Sequence, residues 1–352
     1  MAEVQYTLDT PQQISCLAFT HSKQLITASV DGSVRLYAAG SSKVSKAIRG
    51  LNGEVASVAH VNKKGAVEGE LWVAVEHQAL LFSLDNTAMI LTQEDAVHTI
   101  PLGDHAEDAL NSITLNHNAS KLAWTSDEGV VGVLDLLTLK STRMRVKHSN
   151  IGGCVGFIPD RPSEIVSGGY DCALLHFDST PGSLHSRFDI PAAPPESGVS
   201  LSPPFVLSAA LSSAGVIAAG TADGRVILGS AGEKLPSKKG KGAKRSRKWE
   251  GLKEDGIKTA KIAEGPVVAM AFIGTDMLLS CTLLGTLKLH HLSRASTDGD
   301  GSVELVESWS REMHGIAKAN GIAVTLVEDG RMRIAVGGVS KNGKGIVLIC
   351  EM

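Results

Sequence analysis

The stretch LITASVDGSVRLYAA, residues 25–39, decides the fold because it reads as two strands joined by a tight turn. Its apolar residues recur in the short, alternating runs that are typical of strands with a buried face. Asp31-Gly32 supplies the positive φ that a tight hairpin turn requires, and the aromatic Tyr37 follows Asp31 by six residues. A single copy of this unit predicts a hairpin, whereas regularly spaced copies predict a closed ring of sheets.

The same step of six residues recurs along the chain, each time behind an alternating strand and a short apolar strand. Its later copies begin at Glu76, Glu128, Asp171, Asp223 and Leu284. Each unit therefore reads as strand, loop, strand, turn, strand and a more variable fourth strand. The six units begin near residues 14, 55, 110, 152, 206 and 267.

The two ends of the chain complement each other. Residues 315–352 offer only three strands, and EVQYTLD at 3–9 can supply the missing outer strand. We therefore predict an all-β fold over residues 1–352, a single seven-bladed β-propeller closed when the N-terminal strand joins the last blade. A count of six or eight blades would follow if an insertion hid or mimicked a blade.

Four segments interrupt the repeat. They lie at 61–71, 92–108, 191–204 and 232–256. The Pro- and Ser-rich segment 191–204 and the Lys-rich segment 232–256 show no strand pattern over most of their length, so we expect flexible insertions there.

The segment KKGKGAKRSRK, 238–248, contains seven basic residues in eleven: Lys238, Lys239, Lys241, Lys244, Arg245, Arg247 and Lys248. A solvated loop, a nuclear import signal and an anion-binding loop are the alternatives for this run. Gly and Ser separate the charges where a nucleic-acid platform would carry aromatics, and only Trp249 adjoins the run. Binding to nucleic acid through 238–248 is the alternative to protein binding.

Composition limits the class of protein. The net charge of -3 argues against a globally basic nucleic-acid binder. No apolar run reaches the roughly 18 residues that a membrane span requires, and MAEVQYTLDT lacks the features of a signal peptide. The five cysteines are scattered, which favours reduced thiols in a reducing compartment. We expect a monomeric propeller in the cytoplasm, the nucleus or both, without a membrane partner.

Catalytic motifs are absent from the sequence: it has no nucleophile elbow, phosphate-binding loop or zinc-binding helix motif. His290 and His291 are neighbours on a strand and point to opposite faces, so they cannot chelate one ion together. Glu107 and Asp108 lie in a predicted loop, where we expect them to be solvated. The inner strands are almost uncharged. We therefore expect no enzyme activity, cofactor or metal site, and an enzyme with a channel site is a third alternative.

The unit at 147–178 carries the most specific motif in the chain. It places His148 before its first strand, Ser167 in the second, Asp171 at the turn and Phe177 in the third strand. This pattern resembles WD repeats, in which these positions form a buried hydrogen-bonded network that locks a blade. The resemblance implies this structural role for the four residues and a scaffold that binds other proteins.

Some members of the WD-repeat family are substrate receptors of cullin-4 ubiquitin ligases. They dock on the DNA damage-binding adaptor through a Trp-Asp-x-Arg motif after the third strand. The resemblance implies this adaptor as a partner. None of the six corresponding tetrapeptides here ends in Arg, and Arg294 lies one residue beyond the last of them.

Overall fold

The computed structural model describes residues 3–62, 65–192, 202–231, 249–294, 303–327 and 330–352. These ranges contain 29 strands and two single 3₁₀ turns, Gln93–Asp95 and Glu254–Gly256, with no α-helix among them. The strands form seven sheets, of which six have four strands and one has five. The predicted all-β, seven-bladed propeller is confirmed.

The blades follow one another in chain order, and each begins at its innermost strand. From the innermost strand outward, blade one contains β2 Ile14–Phe19, β3 Leu25–Ser29, β4 Val34–Tyr37, β5 Val44–Ile48 and β9 Ile90–Leu91, and blade two contains β6 Val55–Val61, β7 Glu70–Val75, β8 Gln78–Ser83 and β10 His98–Pro101. Blade three contains β11 Leu110–Leu115, β12 Lys121–Ser126, β13 Val131–Asp135 and β14 Lys140–Arg143; blade four contains β15 Gly152–Phe157, β16 Glu164–Gly169, β17 Ala173–Asp178 and β18 Ser183–Asp189; and blade five contains β19 Val206–Leu211, β20 Ile217–Thr221, β21 Arg225–Gly229 and β22 Ile257–Lys261. Blade six contains β23 Val267–Ile273, β24 Met277–Thr282, β25 Thr286–Arg294 and β26 Val303–Glu312, and blade seven contains β27 Ile316–Leu326, β28 Met332–Ser340, β29 Gly345–Glu351 and β1 Glu3–Thr10.

The ring closes as the sequence predicts. Strand β1 pairs antiparallel with β29 from Glu3 opposite Glu351 to Thr10 opposite Gly345, which makes β1 the outer strand of blade seven. Leu8 of β1 is buried in the apolar cluster between blades seven and one. The first strand of the chain therefore completes the last blade and covers the edge that β29 would otherwise expose.

The tight turns between second and third strands explain much of the repeat. Five of them use a glycine at positive φ, namely Gly32, Gly129, Gly224, Gly285 and Gly343. A Cβ at Gly32 would collide with the backbone oxygen of Leu51, so this position requires glycine for space as well as for conformation. Glu76 and Cys172 take the same left-handed conformation in blades two and four, with φ of 47° and 58°.

The hydrophobic core is divided among the blade boundaries. Each of the seven apolar clusters of the described residues lies between two consecutive blades. Phe157, near the end of β15, packs into the cluster between blades three and four, and Leu211 of β19 packs between blades four and five. Because apolar burial joins neighbouring blades, each blade depends on the next for its core.

Polar contacts also join the inner strands around the channel. Every inner strand has a β-bulge after its first residue. Near the bulge, a side chain often donates to the first carbonyl of the next inner strand: Ser15 Oγ to Val55 O at 2.5 Å, Ser208 Oγ to Val267 O at 3.1 Å and Asn320 Nδ2 to Ile14 O at 2.7 Å. Gly153 of blade four has no side chain, and a Cβ there would lie 2.6 Å from Val206 O.

Two of the expected insertions differ in the structure. Residues 98–101 form β10, the outer strand of blade two, so treating all of 92–108 as an interruption was wrong. Just before it, β9 pairs in parallel with β5 and gives blade one its fifth strand. Of the insertion 232–256, residues 232–248 lie outside the described part of the chain, as do 193–201 of the Pro-rich segment.

The end of the Lys-rich insertion is part of the core. Trp249 and Leu252 are 3% and 4% exposed and pack in the cluster between blades four and five. The expectation of a flexible insertion as far as residue 256 is therefore wrong for residues 249–256. A buried tryptophan contributes several kcal/mol of stability, on the order of 3–5 when truncated to alanine.

Candidate functional site

The antiparallel blades give the propeller two distinct faces. The lower face carries the loops from the inner to the second strands and from the third to the outer strands. The upper face carries the turns between second and third strands and the connections from blade to blade. Because strand direction alternates in every blade, the same class of loop always lies on the same face.

A pocket of about 750 Å³ lies on the lower face across blades three, four and five. Its apolar walls come from the ends of three consecutive inner strands and the residues after them: Leu115, Phe157, Ile158, Pro159 and Leu211. This volume falls within the range of pockets that hold small ligands or anchoring side chains. The pocket has a polar rim that includes the exposed residues His117, Asn118, Asp160 and Ser213.

The loop of blade three that borders the pocket is held in shape by asparagines. Asn116 is buried, and its Oδ1 accepts the backbone N–H groups of Ser120 and Lys121 at 2.9 and 3.0 Å. Asn118 Oδ1 accepts the Ser120 hydroxyl at 2.7 Å. Ala119 takes a positive φ of 50° between them. These side-chain bonds replace the missing strand pairing, so the exposed His117 is presented from an ordered loop.

The loop of blade four is held in place by a series of hydrogen bonds between charged and polar side chains. Arg161 lines the pocket, and its Nη1 donates to Glu164 Oε1 at 2.7 Å. The other carboxylate oxygen of Glu164 lies 3.0 Å from His176 Nε2. With Glu164 ionised, the imidazole donates through Nε2, and its Nδ1 lies 3.4 Å from the Ser186 hydroxyl. The pocket wall is thus connected to the interior of blade four.

Trp249 connects this series of side-chain contacts to blade five. Its Nε1 donates to Gly215 O at 2.8 Å, in the loop that also contains the pocket residue Ser213. Its ring packs edge-on against His176, with centroids 5.1 Å apart and an interplanar angle of 79°. Arg161, Glu164, His176 and Trp249 therefore form a continuous bracket between the two loops that flank the pocket.

Burial keeps His176, the central residue of this bracket, uncharged. His176 is 1% exposed, and burial lowers its pKa from 6.5 to about 4. The attraction of the Glu164 carboxylate opposes this change but does not offset it, while nearby His185 adds to it. At neutral pH the imidazole is therefore an uncharged donor that holds Glu164 on one side and Trp249 on the other.

On the upper face, the structure brings three of the four predicted blade-network residues together. His148 Nδ1 lies 2.8 Å from Asp171 Oδ1, and His148 Nε2 lies 2.8 Å from Ser167 Oγ. Asp171 also accepts the backbone N–H of Ser149 at 3.1 Å. Burial raises the pKa of the Asp171 carboxyl, but these hydrogen bonds and Arg187 outweigh it, so the pKa lies below its usual range.

Phe177 lies outside this network. Its ring has no hydrogen-bonding group and is fully buried among the apolar residues between blades three and four. The expectation that the aromatic residue shares the hydrogen bonds is therefore wrong for this blade, because only Trp or Tyr brings a donor to an aromatic position. The network ends at the Ser167 hydroxyl.

Blade three replaces the histidine network with a carboxylate. Asp108 is 0% exposed and accepts the backbone N–H groups of Glu128 and Asp104 at 2.9 and 2.8 Å. The prediction that Glu107 and Asp108 are both solvated is wrong for Asp108. Backbone donors compensate its burial, and the contact with Glu128 ties the blade connection to the turn above it.

Blade five uses an ion pair at the corresponding turn. Arg225 and Asp223 are both buried, with Arg225 Nη2 2.7 Å from Asp223 Oδ2. The same Nη2 donates to Pro191 O at 2.8 Å, where the Pro-rich segment begins. The first residue of that segment is therefore held on the upper face.

The described residues also bear on metal and membrane sites. Among them, no group of three or more His, Cys, Asp or Glu side chains could hold a metal ion. His290 is buried and His291 is exposed, as their opposite orientations require. The five cysteines are free thiols. No helix in the described ranges is long and apolar enough to cross a membrane.

The seven predicted basic residues of the Lys-rich run lie outside the described residues: Lys238, Lys239, Lys241, Lys244, Arg245, Arg247 and Lys248. The sequence reasoning did not find the pocket, whose walls come from strands more than forty residues apart. Trp249 was a usable signal, because an aromatic followed by Gly251 and Leu252 at the end of a polar run indicates an anchoring point.

Residues 2–38 match the family described as WD domain, G-beta repeat. The match covers β1 and β2 to β4, so a repeat read along the sequence combines the outer strand of blade seven with three strands of blade one. This match and the seven-bladed ring together support a WD-repeat propeller, a fold that typically provides scaffolds for protein interaction.

Proposed function

We propose that this WD-repeat propeller is a non-catalytic scaffold that binds other proteins through its lower face. The observation that carries the proposal is the pocket across blades three to five, with apolar walls, an exposed polar rim and a braced frame. Hot spots in protein interfaces are anchoring side chains that fill such pockets, surrounded by a polar rim. A rigid ring of sheets presents the loops without a large ordering cost on binding.

The inner strands support a non-catalytic role. Acid-base or nucleophilic chemistry requires ionisable groups that converge on one point, and the inner strands of the first six blades contain a single ionisable side chain other than cysteine, His60. The proposal accordingly includes no cofactor and no metal. A screen of the pure protein against ester, phosphoester and glycoside substrates tests this point, and turnover abolished by a change in the channel would refute it.

More narrowly, we propose a substrate receptor of a cullin-4 ubiquitin ligase, docked on the DNA damage-binding adaptor. The sequence resembles WD repeat-containing protein 53, most clearly in LNSITLNHNASKLAWTSDEGVVGVLDL, 110–136, and in the following segment 147–178. The docking arginine of such receptors follows the third strand. Arg294 is the last residue of β25, the third strand of blade six, and therefore lies toward the lower face.

Purified adaptor tests the narrower role. We expect the immobilised chain to retain the adaptor and Arg294→Ala to weaken retention several-fold, because a docking arginine contributes charge-assisted hydrogen bonds. Lys140→Ala, an exposed change on β14, is the matched control and should bind as the unaltered chain does. Absence of adaptor binding to the unaltered chain would remove the ligase role and leave the general scaffold.

The alternative is a nuclear, nucleic-acid-associated propeller that acts through 238–248. Seven basic residues in eleven support it, since phosphate binding depends on clustered positive charge. Binding to a duplex or a single strand would then fall steeply with salt and disappear when the run is replaced by Gly and Ser. A fluorescent fusion with and without the run tests the proposed distribution between cytoplasm and nucleus, with loss of nuclear signal expected if the run is an import address.

A further inference from the structure

We propose that Asn52, on the upper face between blades one and two, is a site of spontaneous deamidation that converts its side-chain amide into a carboxylate. The inference goes beyond the proposed scaffold function and does not depend on it. Water is the only co-reactant that the modification requires. Its basis is the Asn-Gly sequence at 52–53, the loop that holds this pair, and a comparison with the other Asn-Gly pairs of the same chain.

The reaction is a ring closure between neighbouring residues. The backbone nitrogen of Gly53 attacks the side-chain carbonyl carbon of Asn52, a C–N bond forms, and the side-chain nitrogen leaves as ammonia with the proton that Gly53 loses. Water then opens the cyclic imide. Opening at the side-chain carbonyl gives aspartate, and opening at the backbone carbonyl gives isoaspartate, whose chain runs through the side-chain carbons. Glycine after the asparagine favours closure because no Cβ crowds the attacking nitrogen.

The structure distinguishes the Asn-Gly pairs of the chain, which lie at 52–53, 320–321 and 342–343. Asn320 is the bulged residue of β27, and its Nδ2 donates to Ile14 O at 2.7 Å. Asn342 Oδ1 accepts the Ser340 hydroxyl and the backbone N–H of Lys344. A carboxamide held by such bonds must first break them before it can turn toward the next backbone nitrogen. Both of these pairs are therefore protected in the folded chain.

The Asn52 carboxamide is exposed, and none of the residues that the structure describes forms a hydrogen bond with it. Glycines at positive φ lie on both sides, Gly50 at 71° and Gly53 at 147°. Gly53 N donates to Leu51 O at 2.9 Å, a bond that spans only three residues. This bond must open for the nitrogen to react. Opening requires only a local movement of an exposed loop outside any strand.

Modification at Asn52 would affect the packing of blade one against blade two. Leu51 is 5% exposed and belongs to the apolar cluster between these blades. Its N–H donates to Gly32 O at 3.3 Å, and its own carbonyl oxygen lies against Gly32, where a Cβ would collide with it. Isoaspartate inserts one extra backbone carbon directly after Leu51. The tight turn of blade one leaves little room for that added length.

The new carboxylate would also lie near two existing ones. Glu54 follows two residues later, and Glu76 Oε1 lies against Gly53, where a Cβ would collide with it. Burial, and after it the Glu76 carboxylate, raise the pKa of Glu54, while Lys318 lowers it. A third negative charge increases the repulsion in this group. Charge and backbone length thus both destabilise the boundary between blades one and two after deamidation.

Ageing of the purified full-length chain in warm, mildly alkaline buffer tests the inference. Samples are digested at intervals, and mass spectrometry with electron-transfer fragmentation quantifies asparagine, aspartate and isoaspartate at the three pairs. We expect conversion at position 52 to be several-fold faster than at 320 and 342, with isoaspartate among the products. A parallel incubation in guanidinium chloride is the internal control. There the three rates should become similar, because unfolding releases Asn320 and Asn342 from their hydrogen bonds.

Two variants test the structural reason. Ser340→Ala removes one of the bonds to Asn342 Oδ1 and should speed conversion at 342 several-fold while leaving position 52 unchanged. Asn52→Ser cannot close the ring. The unaltered chain should show a lower unfolding midpoint after ageing, whereas aged Asn52→Ser should keep the midpoint of its fresh sample.

Conversion at 52 that is no faster than at 320 and 342 in the folded chain would overturn the inference. An unchanged rate at 342 in Ser340→Ala would overturn the explanation by carboxamide hydrogen bonds. An equal loss of midpoint in the aged unaltered and Asn52→Ser proteins would refute the predicted effect on the boundary between blades one and two.

Discussion

Trp249 Nε1 donates a 2.8 Å hydrogen bond to Gly215 O, and this contact ties the end of the Lys-rich insertion to the loop beside the pocket. The indole is 3% exposed and lies edge-on to His176. One residue thus completes the core between blades four and five and connects two of the loops that form the pocket. The stability of this part of the ring and the shape of the pocket consequently depend on the same side chain.

Truncating Trp249 should destabilise the protein more than removing its hydrogen bond alone. We expect Trp249→Phe to cost about 1–2 kcal/mol, since it leaves Gly215 O without its indole donor, and Trp249→Ala about 3–5 kcal/mol, since it also opens a cavity. Urea unfolding followed by circular dichroism measures both. Lys253→Ala, which removes an exposed ion pair with Glu250, should leave the free energy of unfolding essentially unchanged. A Trp249→Ala protein as stable as this control would contradict the bracket.

Stability should fall as the pH decreases from about 6.5 to about 4. In this window the His176 imidazole of the unfolded chain binds a proton, whereas the buried imidazole, with a pKa of about 4, does not. Because the unfolded state binds more protons, lowering the pH favours unfolding, by up to roughly 3 kcal/mol for this group. His290, whose pKa burial also lowers, acts in the same direction.

The variant His176→Gln isolates the contribution of this residue. The slope of unfolding free energy against pH between 4 and 6.5 should become shallower, because one proton uptake on unfolding has been removed. His117→Gln, which removes an imidazole at an exposed loop position outside this bracket, is the matched control. A His176→Gln profile that overlays that of the unaltered chain would show that the imidazole is not buried as a neutral group.

The hydrogen-bonded network of blade four should be a strong local determinant of stability. His148→Ala leaves the Asp171 carboxylate and the Ser167 hydroxyl without their imidazole partner, at a cost of about 3–5 kcal/mol. The neighbouring change Lys147→Ala breaks only an exposed pair with Glu128 at 3.4 Å and should cost less than about 0.5 kcal/mol. Thermal unfolding of the two variants provides the comparison, and similar midpoints would argue against the network.

Closure of the ring should depend on the N-terminal strand. A chain beginning at residue 11 lacks β1, so β29 becomes an unpaired edge and the cluster around Leu8 is exposed. We expect a lower unfolding midpoint and a tendency to aggregate, both reversed by adding a peptide of residues 3–10. Light scattering and thermal unfolding measure these effects. An unchanged midpoint for the truncated chain would contradict closure by this strand.

The architecture was predictable because each blade repeats a local pattern. Gly32 and its counterparts fix the tight turns through backbone conformation, and the alternating inner strands fix which residues pack between blades. Outer strands such as β10, with exposed positions at Thr99 and Pro101, bury little on either face, so their sequence is weakly constrained. For that reason, the sequence of His98–Pro101 alone did not indicate a strand and was assigned to an insertion.

The site was less predictable because it depends on contacts between blades. Asp108 in a loop has the sequence features of a solvated carboxylate, and only the folded chain brings the N–H groups of Glu128 and Asp104 to it. The same holds for Arg161 and Trp249, which are far apart in sequence and meet through Glu164 and His176. Local periodicity carries no information about such contacts.

Site-specific photocrosslinking tests the central claim, partner binding at the lower-face pocket, most directly. A benzophenone side chain is placed at Ser213 on the pocket rim, or at Ser149 on the upper face as the control, and each protein is irradiated in native cell extract. The account predicts a discrete crosslinked partner from position 213 that an excess of the unaltered chain displaces, and no such partner from position 149. Adducts at position 213 that the unaltered chain does not displace, or partners captured only from the upper face, would contradict it.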